Sequence, residues 1–185
     1  MATSWNRVAR RIRVPLGFAF AVLFLWLAKP TLLFLTLSLA LVVPGLLLRG
    51  YASGYVKKNT ELTVAGPYAH TRNPLYLGSI LIAFGFALAA RSFWIAMVVV
   101  LLFAAIYVPV IRSEEEYLRS VFPEFDAYAA SVPRLLPRMV AAGGSAATKG
   151  VFSGALYRKH REYNAFLGAV GMYAALILKL VLLRK

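Results

Sequence analysis

Long apolar runs alternate along the chain with short basic and aromatic stretches. Val14 to Ala28 and Thr31 to Leu48 are two such runs, parted only by Lys29-Pro30, which predicts a tight helical hairpin. Pro74 to Ala90 is a third. Arg91-Ser92 makes a turn, and Phe93 to Ile111 follows as a fourth run with no charge inside it. Asn164 to Leu183 is a fifth, interrupted only by Lys179. A helix crossing the hydrocarbon of a bilayer needs about 20 apolar residues, within about 17–25. The expected fold is therefore all-α: a polytopic membrane helical bundle of about five transmembrane helices, the first of them short. Pro44 is expected to kink the second helix.

The segments between the runs divide the chain. Residues 1–50 read as an N-terminal transmembrane hairpin and 51–138 as a core holding two further spans. Residues 139–150 read as a linker, and 151–185 as an interfacial helix leading into a C-terminal span. Ala141 to Gly150 (AAGGSAATKG) is small and flexible in composition. It is not a phosphate-binding loop, because Thr148 rather than Gly precedes Lys149 and no strand leads into it. Val151, Phe152, Ala155 and Leu156 then form a one-sided apolar stripe ahead of Arg158, Lys159 and Arg161. That pattern predicts a helix lying on the membrane surface. No internal repeat is present.

Composition sharpens this picture. Hydrophobic residues make up 61% of the 185, with mean hydropathy +0.70, against about 45–50% in soluble domains. A small domain cannot hide such an excess in one core, so it faces lipid. The net charge of +14 would suggest nucleic acid in a soluble protein. Here the basic residues flank apolar runs, so membrane lipids are the expected partner and nucleic acid is not. Sixteen basic residues, from Arg7 to Arg161, fall on one side of the spans, and Lys29, Arg91, Arg184 and Lys185 make four on the other. By the positive-inside rule the N-terminus is expected in the cytoplasm and the C-terminus outside. A basic stretch precedes the first run as in a signal peptide, but no small-residue cleavage site follows, so a retained helix is expected. There is no cysteine, which removes disulfides, thiolate nucleophiles and Cys-ligated metal clusters. His70 and His160 lie far apart in sequence and make a poor metal site, so no metal is expected.

Three clusters could carry chemistry. The first is GPYAHTRNPLYLG, Gly66 to Gly78. Asn73-Pro74 fits a helix start, with Asn73 as N-cap and Pro74 in the first helical position. The free N–H groups of a helix start favour an anion, and Arg72 adds a planar donor fork suited to a carboxylate or phosphate. Gly78 lets another group approach the helix closely. The ordinary alternative makes Arg72 a flanking anchor and Tyr68 and Tyr76 interfacial aromatics. The second cluster is Glu114-Glu115-Glu116, three of the seven acids in consecutive positions after the uncharged fourth run. An acid at the bilayer centre costs on the order of 3 kcal/mol, so these belong at the membrane edge or in a wet pocket. Pro109 just before them is expected to bend the helix and free a carbonyl. The ordinary alternative is a solvated face with Glu115 paired to Arg119, and Glu116 is assigned to solvent. The third cluster, Phe122 to Arg138, mixes aromatics with prolines; it resembles a lid, and composition assigns it no chemistry.

In order, these pieces read GPY-x-x-x-R-[HN]-P-x-Y-x-G, an apolar hairpin, E-E-x-x-L, then an aromatic segment ending V-P-R-x-x-P. That order resembles the isoprenylcysteine carboxyl methyltransferase and phospholipid methyltransferase superfamily over Leu62 to Arg138. The resemblance implies a compact helical membrane fold holding S-adenosyl-L-methionine at the cytoplasmic side. It also implies a cofactor-binding set of Tyr68, His70, Arg72, Asn73, Pro74, Tyr76, Leu77, Gly78, Glu114 and Glu115, with Arg72 and Glu115 as the expected catalytic residues. Asn73 stands where many members have His, and the stretch between Phe122 and Tyr128 is one residue shorter than the usual pattern.

The chemistry fits those residue types. Arg72 and the helix start suit the cofactor's carboxylate; Glu114 or Glu115 suits its ammonium or ribose hydroxyls. Methyl transfer is an in-line displacement that mainly needs alignment, worth roughly 7–11 kcal/mol. A carboxylate acceptor needs no base, while an amine must first lose a proton, with Glu115 as the candidate base. The expected acceptor is an isoprenylcysteine-like carboxylate or a related lipophilic molecule drawn from the bilayer. A phospholipid amine is the nearest rival, followed by a sterol-reductase-like nicotinamide enzyme and a non-catalytic lipid-binding protein.

Overall fold

The structure, a computed structural model, describes residues 21–57, 61–142 and 150–183, and its regular elements are all helical. Residues 21–27 form α1, and the part of the first predicted span before them lies outside the described residues, as do residues 143–149 of the predicted linker. Leu32–Ser53 is α2, followed by a 3₁₀ turn at Gly66–Ala69. Pro74–Ala90 is α3 and Phe93–Val121 is a continuous α4. Phe125–Ser131, Gly154–Lys159 and Tyr163–Leu183 are α5, α6 and α7. Among the described residues α2, α4 and α7 are long and apolar enough to cross a membrane, and α3 is apolar but 17 residues long, the short end of the spanning range.

Two helices outrun their apolar sequence. α2 continues past Leu48, and past residue 50, to Ser53, and it runs unbroken through Pro44. α4 continues ten residues past Ile111, because Arg112 to Val121 holds no Gly or Pro and the next breaker is Pro123. The acidic triplet therefore stands on the spanning helix itself, not in a connecting segment. Within α4, Phe103–Tyr107 is a π-helical turn just before Pro109. A proline ring clashes with the carbonyl four residues back and offers it no N–H, here that of Ala105. The wider turn absorbs the clash without breaking the helix.

α2 and α3 run antiparallel and nearly touch along a seam of glycines. A Cβ at Gly45 would stand 2.8 Å from the Gly78 carbonyl oxygen, and one at Gly78 would stand 2.7 Å from that of Gly45 and 2.6 Å from Arg49 Cγ. A Cβ at Gly85 would reach 2.5 Å from Val42 Cγ2. Small residues at a helix–helix interface replace the hydrophobic drive that lipid cannot supply. At the end away from the site, Phe24, Ala28, Leu35, Ala87, Ala90, Ile95 and Leu176 pack together. The Lys29 N–H donates to the Ala90 carbonyl at 2.8 Å there. α7 is tied in by the Tyr173 and Ser38 hydroxyls, 2.6 Å apart, and by Lys179, whose ammonium donates to the Leu25 and Trp26 carbonyls at the end of α1.

The predicted surface helix is shorter than its apolar stripe suggested. α6 has six residues, capped by Ser153, whose hydroxyl accepts from the Leu156 N–H at 3.3 Å. Phe152 stacks on Tyr51 with centroids 6.1 Å apart, the Ser153 N–H donates to the Gly54 carbonyl at 2.9 Å, and His160 Nδ1 lies 3.0 Å from the Ser53 carbonyl. The segment is thus docked on the end of α2, and the stripe is partly spent on protein.

The glycine seam predicts a graded response. Gly45→Ala and Gly78→Ala should each destabilise by about 1–3 kcal/mol through overpacking, read from thermal or denaturant unfolding in detergent. Gly168 and Gly171 on α7 face open space, so Ala at either should be neutral or stabilise by up to about 1 kcal/mol through helix propensity.

Candidate functional site

One buried carboxylate organises the end of the bundle where α3 begins and α4 ends. Glu115 is 4% exposed, whereas its neighbours Glu114 and Glu116 on α4 are exposed. Its Oε1 accepts from Asn73 Nδ2 at 3.1 Å and lies 3.5 Å from Arg72 Nε. Its Oε2 accepts from Arg134 Nε at 3.0 Å and Nη2 at 2.9 Å, a two-pronged contact. Such charge-assisted forks fix geometry as well as charge. Arg119 does not pair with Glu115; its Nε donates to Asp126 Oδ1 at 2.7 Å.

The loop before α3 is clamped by the segment that follows α5. The Arg72 N–H donates to the Pro133 carbonyl at 3.0 Å, the Arg138 N–H to that of His70 at 3.0 Å, and the Ala142 N–H to that of Ala69 at 2.9 Å. The Thr71 hydroxyl donates to the Leu135 carbonyl at 3.0 Å, and the Tyr128 hydroxyl to that of Tyr68 at 2.8 Å. The His70 ring is engaged by the Arg138 carbonyl, 2.9 Å from Nδ1. Asn73 stands at the N-cap position and Pro74 opens the helix, as the sequence predicts. The Asn73 side chain makes no cap, however, because its amide is used by Glu115 and by the Arg134 carbonyl at 2.9 Å. The first turn of α3 is therefore left uncapped by that side chain.

A second group of residues lies on the α3–α4 side. The Tyr76 hydroxyl lies near the Glu114 carboxylate, and its ring meets Tyr107 edge-on at 5.6 Å. Tyr107 comes from the π-helical turn and stacks on Phe103 at 5.4 Å. Tyr68 is buried at 8% exposure. Burial raises its pKa, with Tyr128, Glu114 and Glu162 adding to the rise and Arg49 opposing it, so its hydroxyl stays neutral. Burial likewise raises that of Tyr128, Arg72 opposing and Glu115 reinforcing.

The structure thus gathers Tyr68, Arg72, Asn73, Pro74, Tyr76, Glu114 and Glu115 at one end of the bundle. Gly78 faces α2, whose Arg49 stem lies against it; Leu77 is half-buried beside it. Sequence reasoning missed Arg134, Tyr128, Tyr107, Arg49 and Glu162. The signal for Glu162 was available: it is a lone acid directly after Arg158, Lys159 and Arg161. Among the described residues no three His, Cys, Asp or Glu come together as metal ligands.

Removing the hub should loosen the clamp. Glu115→Ala leaves Arg72 buried without its counter-ion, and breaking a buried pair this way costs about 3–5 kcal/mol. Hydrogen exchange should rise first at Arg72, Arg138 and Ala142, whose N–H groups hold the loop, while Glu116→Gln should change stability by less than about 0.5 kcal/mol.

Comparison with known proteins falls on this same stretch. Residues 48–124 match the phospholipid methyltransferase family. The nickel-cobalt-cadmium resistance protein NccN of Alcaligenes xylosoxydans xylosoxydans is 42% identical over 89 residues, 48% of this chain and 41% of that protein. The cobalt-zinc-cadmium resistance protein CzcN of Cupriavidus metallidurans is 40% identical over 89 residues, 48% of this chain and 40% of that one. The similarity spans about two fifths of the length of either relative. No solved structure matches. The matched segment, residues 48 to 124, runs from the end of α2 through the acidic triplet, and over that stretch the chain is similar to the phospholipid methyltransferase family.

Proposed function

We propose that this protein transfers a methyl group from S-adenosyl-L-methionine to a lipophilic acceptor held in the bilayer. One observation carries the reading. Arg72 Nε is buried and makes no hydrogen bond among the described residues, only the 3.5 Å ion pair with Glu115, beside an uncapped helix start and the exposed Glu114. A buried donor without a hydrogen bond has capacity to spare, and a carboxylate arriving from outside would take it up. The donor molecule brings a methyl group on a sulfonium, and the remaining chemistry is done by this chain. Arg72 and the first turn of α3 hold its carboxylate. Glu114, exposed and close to Tyr76, takes its ammonium. Glu115 has both oxygens engaged by Asn73, Arg72 and Arg134, so it acts by orienting Arg72.

The acceptor reaches the site sideways. The aqueous side of the site is occupied by the clamped loop and the 133–142 segment, whereas α3 and α4 present apolar surface to the hydrocarbon. Each methylene withdrawn from water contributes about 0.8 kcal/mol, so a long alkyl or prenyl chain concentrates the acceptor without specific contacts. An isoprenylcysteine-like carboxylate needs no base, which suits a site whose buried acid is already paired. A phospholipid amine is the second reading, favoured by the family that residues 48–124 match.

Calorimetry on the detergent-solubilised protein should show saturable S-adenosylmethionine binding, competed by S-adenosylhomocysteine. Arg72→Ala and Glu115→Gln should each cost about 2–4 kcal/mol of transition-state stabilisation, roughly 30- to 1000-fold in rate, and Glu116→Gln far less. Acceptors of one headgroup and rising chain length should react progressively faster at fixed bulk concentration. Nicotinamide binding without S-adenosylmethionine binding would favour a reductase, and binding of neither a lipid-binding role.

We place the site end of the bundle in the cytoplasm, on the sixteen-to-four split of basic residues. The chain has no cysteine, so Ser131→Cys and Ser92→Cys give clean probes of the two ends. An impermeant maleimide applied to intact cells should label Ser92→Cys alone; labelling of Ser131→Cys instead reverses the orientation.

A further inference from the structure

Arg49, near the end of α2, holds three elements at once. Its Nε donates to Glu162 Oε2 at 3.0 Å and its Nη2 to Glu162 Oε1 at 2.9 Å, a bidentate pair with side chains 24% and 12% exposed. Glu162 directly precedes α7. The remaining Nη1 turns the other way, donating to the Leu75 carbonyl at 3.3 Å and to the Ser79 hydroxyl. Ser79 in turn donates to that same carbonyl at 3.0 Å. The Arg49 stem lies on Gly78, where a Cβ would come within 2.6 Å of its Cγ. The glycine that ends the R-N-P-x-Y-x-G stretch is thus the seat of this arginine.

A tether between α2 and α7 would need only the two donors that Glu162 takes. The third donor goes to the first turn of α3, the turn that carries Tyr76 and the uncapped N–H groups. A guanidinium is planar and its fork is rigid, so fixing two nitrogens against Glu162 fixes the direction of the third. We propose that Arg49, oriented by Glu162, is a positioning residue for the methyl-donor site, setting the depth and angle of the first turn of α3. Glu162 lies outside the family-matched segment, which gives the C-terminal part of the chain a role in the site. The field at Tyr68 agrees: Glu162, Arg49 and Glu114 all act on its hydroxyl. This inference rests on the functional reading above.

The test uses the full chain in detergent, with wild type, Glu162→Gln, Arg49→Lys and the exchanged pair Arg49→Glu with Glu162→Arg. Binding of S-adenosylhomocysteine is read by calorimetry, the melting midpoint by thermal unfolding, and amide exchange at Leu77, Gly78 and Ser79 by mass spectrometry without ligand. Glu162→Gln and Arg49→Lys should weaken binding by about 10- to 100-fold, the range for a lost orienting partner or a small misplacement, and should speed exchange at those amides. The exchanged pair should recover the melting midpoint but not the affinity, because its guanidinium no longer stands beside Leu75 and Ser79. Wild-type affinity in Glu162→Gln, or affinity recovered along with the midpoint in the exchanged pair, overturns the positioning role alone. Absence of binding by wild type overturns the functional reading, and unchanged exchange in the variants then overturns this inference on its own evidence.

Discussion

A carboxylate withdrawn from water must be compensated at close range, because the cost of leaving it alone is several kcal/mol. Glu115 meets that constraint with Asn73 from the start of α3, Arg72 from the loop before it, and Arg134 from the segment beyond α5. Each partner is then no longer free to move, and the loop from Gly66 to Asn73 inherits its shape from the pairing. The backbone bonds between residues 69–72 and 133–142 close the same arrangement from the outside. The uncapped α3 terminus, the Arg72 Nε that pairs with Glu115 without a hydrogen bond, and the placement of Glu114 one residue away all depend on that one acid being satisfied.

The glycine seam supplies what the acid cannot. Charge compensation fixes directions within the loop, but the depth of α3 is set by how closely it approaches α2. Gly45, Gly78 and Gly85 allow backbone contact, and the short α3 gains from it, since a helix of 17 residues has little length to spare in spanning.

The all-helical membrane fold was legible because apolar runs of spanning length leave few alternatives. The helix start was legible too: Asn73-Pro74 does open α3, and of the three acids Glu115 meets Arg72. What could not be read was which acid of three turns inward. That depends on the phase of α4, which the π-helical turn at Phe103–Tyr107 shifts before the triplet is reached. The Asn73 cap failed for a tertiary reason, since a buried carboxylate outcompetes a local N–H for its amide. The end of α4 was misplaced because apolar content, not helix propensity, marked the boundary at Ile111. Arg49 and Glu162 lie 113 positions apart, a pairing that no local pattern encodes.

Lys179 has a consequence for how the chain is divisible. Its ammonium, near the end of α7, is held by the last carbonyls of α1. Both helices stand outside the family-matched segment, one before it and one after. Deleting α1 would leave the Lys179 ammonium without these acceptors, and deleting α7 would leave the Leu25 and Trp26 carbonyls without this donor. The first and last described helices are thus joined to each other although they lie at opposite ends of the sequence, and a change in one is felt by the other as well as by α2.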